Sequence, residues 1–249
     1  MLLTNGCSFV WGDELPGAYD HPAATHQPLT FPHLLAERMH FPKYVNLAVP
    51  GAGNDLIFRK TMTYLAKRDK KRQPTHMVII WTAWQRMEML KPEYRDIDPT
   101  YKLLKFNGMV QFSPERVGNL QEDMHGTLYK YYNDVYTHHT TILHDLGKML
   151  AVQNICDARG IKLIQGVFHK QMYENLKSVI ETGNKDYIDE IENHLRCLKP
   201  TSKLGMGHWT DMYSLSAFTY KDLMPRGHPG VKTHQGFARL LHDIYRKMK

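Results

Sequence analysis

Two short segments of this chain carry the residue types of acyl-transfer chemistry. Near the start stands Gly6-Cys7-Ser8-Phe9-Val10-Trp11-Gly12, and far downstream Gly227-His228-Pro229 precedes the last helical pattern. A serine hydroxyl is a weak nucleophile at neutral pH, so it needs an imidazole within hydrogen-bond reach, about 2.6–3.2 Å, to take its proton. A turn at the end of an N-terminal strand presents such a serine. The competing reading of Ser8 is a helix cap or turn residue. Cys7 is the rival nucleophile, but alternation along the strand places it on the opposite, buried face.

The elements that must bring these segments together follow from the apolar pattern. Met1-Leu2-Leu3-Thr4 reads as a first strand, Tyr44 to Ala48 as a second, Met77 to Trp81 as a third and Ile161 to Phe168 as a fourth. The third is a continuous apolar run, as expected of a parallel strand covered on both faces. Helices alternate with them: Thr30-Phe31-Pro32 opens one that runs to about Met39, Asn54 caps a second, a third runs from about Leu128 to Ala158, and Val231 to Met248 forms the last. Residues from about Lys91 to His125 read as irregular, and a charged helical insertion spans about Gln171 to Leu198.

Alternating strands and helices imply an α/β fold, a doubly wound parallel sheet in three layers. In such sheets ligands sit outside the carboxyl ends of the strands. Ser8, the stretch Gly51 to Asn54, and Thr82 to Arg86 all follow predicted strands, so one rim gathers them, and the loop before the last helix brings His228 to it.

With those segments placed, the chain resembles the SGNH hydrolase superfamily, the GDSL-type esterases and lipases. Gly6-Cys7-Ser8 stands where the family has Gly-Asp-Ser, and the resemblance gives Ser8 the nucleophile's role. Val45-Asn46-Leu47-Ala48-Val49-Pro50-Gly51 is similar to the second block and gives Gly51 the role of an oxyanion donor. The third block, Gly-x-Asn-Asp, is replaced by Thr82-Ala83-Trp84-Gln85, with Trp84 in the asparagine position, so that donor falls to Asn54 or Gln85 or is absent. The last block, Asp-x-x-His-Pro, keeps His228-Pro229 but has Pro225 in place of the aspartate. Either Asp222 or a backbone carbonyl then orients His228. Gly-Cys-Ser-Phe and Gly-His-Pro-Gly look most like the divergent SGNH-like proteins of bacteriophages, for which the compartment would be the cytoplasm of an infected bacterium.

Composition narrows the remaining classes. The 249 residues, 42% hydrophobic and 23% charged, suit one globular domain, 1–249, with insertions at about 87–126 and 170–220. No apolar run approaches the ~18 residues of a membrane span. Three widely spaced cysteines (Cys7, Cys156, Cys197) are read as free thiols, and with no leader-like segment ahead of the first strand the expected location is cytoplasmic. The net charge of +7 admits an anionic partner, but its one tight run, Lys67 to Arg72, is better read as a solvated helix end than as a nucleic-acid surface.

The fifteen histidines lack metal-ligand spacing: His138, His139, His144 and Asp145 on the long helix, and the pair His21 and His26, have no matching carboxylate or cysteine partners. No metal is expected. No phosphate-cradling or dinucleotide motif appears, so no cofactor is expected either. His208 and His234 compete with His228 as base. Trp84, Gln85 and Arg86, with Trp81, Tyr94 and Tyr101 nearby, are read as the substrate wall, against the competing reading of core packing.

The leading expectation is a serine esterase that cleaves a short acyl group, such as acetyl, from a carbohydrate or other small polar molecule through a Ser8–His228 acyl-enzyme. The alternatives are an acyltransferase using the same intermediate, and a noncatalytic SGNH-like protein that binds an anionic polymer. Oligomeric state is not legible.

Overall fold

A computed structural model describes residues 1–18, 27–67, 73–84, 86–90, 109–112, 137–206 and 210–248. Four parallel strands, β1 (Leu2–Asn5), β2 (Tyr44–Asn46), β3 (His76–Trp81) and β6 (Lys162–Val167), form a sheet in the order β2-β1-β3-β6. Leu2 pairs with Tyr44 on one side and His76 on the other, and His76 pairs in turn with Lys162. Helices cover both faces of the sheet.

Of the two inner strands, β1 is buried throughout, polar Thr4 and Asn5 included, and β3 is buried in all but its first residue, as its apolar run requires. The strand order reverses direction between β1 and β3, and the crevice at such a switch point is where doubly wound sheets hold ligands. A second, antiparallel pair joins β4 (Met87–Leu90), just before the stretch read from sequence as irregular, to β5 (Met109–Phe112), a strand within it, which corrects that reading there.

Helices α1 (Ser8–Trp11), α2 (Phe31–Arg38), α3 (Asn54–Ala66) and α4 (His138–Ala158) follow in chain order. Thr30 caps α2, and Pro32 occupies its first turn, where a missing N–H costs nothing. The start of α4 is at His138; residues 128–136, read as its first turns, lie outside the described residues. The charged insertion is two helices, α5 (Gln171–Thr182) and α6 (Lys185–Cys197), because Gly183 ends the first and the Asn184 side chain accepts from the Asp186 N–H to start the second. The last helix, α7 (Val231–Lys247), buries Phe237, Leu241 and Tyr245 on one stripe and packs against α2. No helix among the described residues is long and apolar enough to cross a membrane.

The expected cap at Asn54 is corrected: Gly53 is the capping residue and Asn54 is the first residue of α3. Its fully buried amide ties α3 to the end of β3, with Oδ1 accepting from the Thr82 N–H at 2.8 Å and Nδ2 donating to the Thr82 carbonyl and to Asp145. Lys148 donates to Asp145 and to Asp55, completing a buried polar cluster behind the sheet's rim.

Burial pushes the Asp145 carboxyl up to about 6 against the pull of Lys148 and Asn54. A carboxyl raised in the fold holds its proton more tightly folded than unfolded, so its contribution to stability declines as pH rises from its ordinary value to about 6. Replacing Asp145 by alanine leaves the Asn54 amide and Lys148 short of a partner. It should cost about 3 kcal/mol in urea unfolding at neutral pH; a loss below about 1 kcal/mol would mean that the cluster relaxes with Asp55 alone.

Candidate active site

Ser8 is placed by the local demands of the turn that follows β1. The side chain of Asn5, the last residue of that strand, is buried: its Nδ2 donates to the Ile57 carbonyl at 2.8 Å and to Thr61 Oγ1 at 2.9 Å, and its Oδ1 accepts from the Gly6 N–H. Gly6 has no room for a side chain, since a Cβ there would lie 2.3 Å from Val10 Cγ2 and 2.9 Å from the Ile80 carbonyl. The chain can therefore turn tightly against β3 and start α1 at Ser8. Cys7 caps that helix and is buried, as alternation requires.

After α1 the backbone reverses through Gly12 at φ +89° and Glu14 at φ +65°. The left-handed region is unfavourable for a residue with a Cβ, and its use at Glu14 stores about 1–2 kcal/mol of strain that the surroundings must hold. They do so by binding its carboxylate. Glu14 accepts from the backbone N–H groups of Arg226 and His228 and from His228 Nδ1 at 2.7 Å.

His228 is held from its own side by a turn in which the Gly227 N–H donates to the Met224 carbonyl and the Met224 N–H to the His228 carbonyl, each at 2.8 Å. Its Nε2 lies 3.0 Å from Ser8 Oγ. A carboxylate only accepts, so the Glu14 contact puts the ring proton on Nδ1 and leaves the Nε2 lone pair facing the Ser8 hydroxyl. Ser8, His228 and Glu14 thus stand in the hydrogen-bonded order of a nucleophile, a base and the acid that orients the base.

Burial opposes the charge on Glu14, but the hydrogen bond from His228 and the two backbone N–H donors outweigh it, so its carboxyl is held below the usual value. It remains ionised through mildly acid pH. Asp13 Oδ2 lies 3.5 Å from His228 Nε2, a second carboxylate beside the ring. The Phe9 ring meets His228 edge-on at 5.4 Å and Phe168 at 5.0 Å, giving the site an apolar floor.

The triad opens into a cleft of about 420 Å³ lined by Ser8, His228, Gly51, Arg86, Phe168 and Tyr213 among others. It lies at the carboxyl ends of the strands, as expected. Gly51 sits at φ +77°, a turn that suits glycine, and the backbone amides of Ser8 and Phe9 belong to the first turn of α1, where N–H groups have no acceptor within the helix.

Of the residues read from sequence, Ser8, His228, Gly51 and Arg86 meet in this cleft. Asn54 does not: its amide is consumed by Thr82 and Asp145. Trp84 is also corrected. Its side chain is fully buried and its indole N–H donates to the Met172 carbonyl at 2.8 Å, so it is part of the core under α5 and not a wall of the cleft. Trp81 is likewise buried, donating to Gln165. Gln85, Tyr94, Tyr101, His208, His21 and His26 lie outside the described residues.

Asp222 does not reach His228. It accepts from the N–H and hydroxyl of Thr233 and from the Ser216 hydroxyl, capping the first turn of α7, whose own capping position is the glycine Gly230. His234 is fully buried against Phe31 and accepts from the Phe31 N–H, so it is a core histidine. Glu14, which holds His228 Nδ1, is not among the residues read from the sequence. Its only signal was position: Gly12-Asp13-Glu14 puts two carboxylates immediately after the serine turn, with a glycine to fold them back.

No protein-family model matches the chain, and no curated protein matches it in sequence. Solved structures do. An acetyl xylan esterase from the rumen bacterium Butyrivibrio proteoclasticus superposes with a TM-score of 0.51 at 14% identity, over 98% of this chain and 63% of that one. TesA gives 0.48 at 12% identity over 100% and 97% of the two chains, and a member of the lipolytic G-D-S-L family from Veillonella parvula gives 0.44 at 9% over 99% and 98%. At these identities the likeness is one of architecture: the chain shares with the acetyl xylan esterase an α/β fold built on a parallel sheet with helices on both sides.

Proposed function

We propose that this protein is a serine ester hydrolase that works through an acyl-enzyme on Ser8. The observation that carries the reading is the chain of contacts from Ser8 Oγ to His228 Nε2 (3.0 Å) and from His228 Nδ1 to Glu14 (2.7 Å), opening into a cleft. A half-buried histidine kept for stability alone has no need of a serine hydroxyl on one nitrogen and, on the other, a carboxylate carried by left-handed backbone. The superposed acetyl xylan esterase gives the reading a parallel in the same architecture.

In this mechanism Ser8 Oγ attacks the ester carbonyl carbon while His228 Nε2 takes its proton, and Glu14 stabilises the imidazolium that results. The developing oxyanion is held by backbone amides at Ser8 and Gly51, each such donor contributing about 100- to 1,000-fold in rate. Collapse expels the alcohol, protonated by His228, and leaves the acyl group on Ser8. Water, deprotonated by His228, then releases the acid. A small cleft favours a short acyl group such as acetyl. An acceptor hydroxyl in place of water would make the same intermediate a transferase. The last-block aspartate, one of the two departures that favour a noncatalytic role alongside the missing third-block asparagine, has a counterpart in Glu14.

A fluorophosphonate probe should label the protein at Ser8, and the adduct should be absent from Ser8→Ala and at least about 100-fold slower in His228→Ala. Mass spectrometry of the labelled peptide reads the result directly. A folded wild-type protein that takes no label overturns the proposal.

A further inference from the structure

Arg86 stands at the end of β3, on the far side of the β1–β3 crevice from the Ser8 turn, and it lines the cleft half-buried. Its conformation is fixed from two directions. Its backbone N–H closes a turn onto the Ala83 carbonyl at 3.1 Å, and its Nη1 donates to the buried hydroxyl of Thr82 at 3.1 Å. The guanidinium lies over the Phe168 ring, 6.0 Å from its centre.

Among the described residues no carboxylate pairs with this guanidinium. Of the two carboxylates beside the site, Glu14 is engaged by His228 and two backbone N–H groups, and Asp13 Oδ2 lies 3.5 Å from His228 Nε2. Of the five N–H donors of this arginine, itself a residue that lines the cleft, one has a neutral acceptor, Thr82 Oγ1. Holding a cation partly out of water without an opposite charge is unfavourable, and a ligand that supplies the charge repays it. Arg226 lines the same cleft.

We propose that the substrate of this site carries an anionic oxygen group, a carboxylate or a phosphate, close to its ester bond, and that Arg86 is the residue that binds it. The inference rests on the ester-hydrolase reading and narrows it to charged esters. A rigid planar fork suits such a group because it offers two parallel hydrogen bonds, which a neutral acyl or alcohol portion cannot accept with the same strength.

Matched esters test it. On the acyl side, p-nitrophenyl hemisuccinate is compared with p-nitrophenyl butyrate. On the alcohol side, 4-acetoxybenzoate is compared with its methyl ester, and 2-acetoxyethyl phosphate with 2-methoxyethyl acetate. At low salt at least one anionic member should exceed its neutral partner by about tenfold or more in kcat/KM, mainly through KM, since hydrogen bonds between two charged groups are roughly twice as strong as neutral ones.

That ratio should fall at least about fivefold in Arg86→Met, recover in part in Arg86→Lys, and shrink in the wild type at about 0.5 M salt. Which pair shows the preference tells whether the anion belongs to the acyl or the alcohol portion and whether it is a carboxylate or a phosphate. Wild-type protein that hydrolyses the neutral esters without favouring any charged partner overturns this inference and leaves the hydrolase reading standing. A preference that survives intact in Arg86→Met, with Ser8 still labelled by fluorophosphonate, also overturns the assignment to Arg86. No hydrolysis of any ester together with no label on Ser8 overturns the hydrolase reading and this inference with it.

Discussion

Alanine in place of Ser8 should lower kcat for ester hydrolysis by about 10⁴- to 10⁶-fold, because without the hydroxyl there is no acyl-enzyme and only binding and the amide donors remain. The fold should hardly notice. Ser8 is buried, but its side chain makes one hydrogen bond, to His228, and the helix it opens is held by backbone bonds from Val10, Trp11, Gly12 and Asp13. Stability should change by about 1 kcal/mol or less. Rates from stopped assays on purified protein, with thermal unfolding alongside, check both halves. A variant that keeps more than about a tenth of wild-type activity would move the nucleophile elsewhere, and buried Cys7 would be the next residue to replace.

Glutamine in place of Glu14 should cost about 10³- to 10⁴-fold in kcat with little change in KM. The reason is a tautomer. The carboxylate accepts from His228 Nδ1 and so leaves Nε2 bare towards Ser8. A glutamine amide can donate to Nδ1 instead, which puts the ring proton on Nε2, where it blocks proton transfer from the serine.

The same variant has a pH signature. Because the Glu14 carboxyl is held below its usual value, its stabilising effect is full above the ordinary value for glutamate and is lost as pH falls through the lower value in the fold. Wild type should therefore lose stability more steeply than Glu14→Gln below about pH 4. Asp222→Asn supplies the contrast: it weakens the cap of α7, costing about 1 kcal/mol, without touching the histidine. If Asp222→Asn lowered kcat as far as Glu14→Gln, the assignment of the acid would fail.

Much of this could be read from the residues in order. The strand around Ile79 is a continuous apolar run, those around Leu2, Val45 and Ile164 are short apolar-rich stretches, and such local patterns need no distant information to be recognised. Gly6-Cys7-Ser8 after the first strand and Gly227-His228-Pro229 before the last helix were legible for the same reason. Their chemistry lies in residue type and their position in the alternation of strands and helices, and a parallel sheet brings every strand end to one rim.

Direction and pairing, by contrast, were set by the assembled fold. Glu14 lies six positions after Ser8 in a segment with no repeating period, and its partner is 214 positions away, so nothing local separates it from Asp13 or Asp222. Trp84 and Asn54 were drawn to the site because their types suit one, yet burial under α5 and against β3 turned both inward, since an indole or an amide whose donors are satisfied in the core is stable there. The four strands of the parallel sheet, the serine turn and the histidine before the last helix are local features of the residue order. The left-handed backbone at Glu14, which turns a carboxylate back onto that histidine, is stable only when contacts from both ends of the chain hold it, and such contacts exist only in the assembled fold.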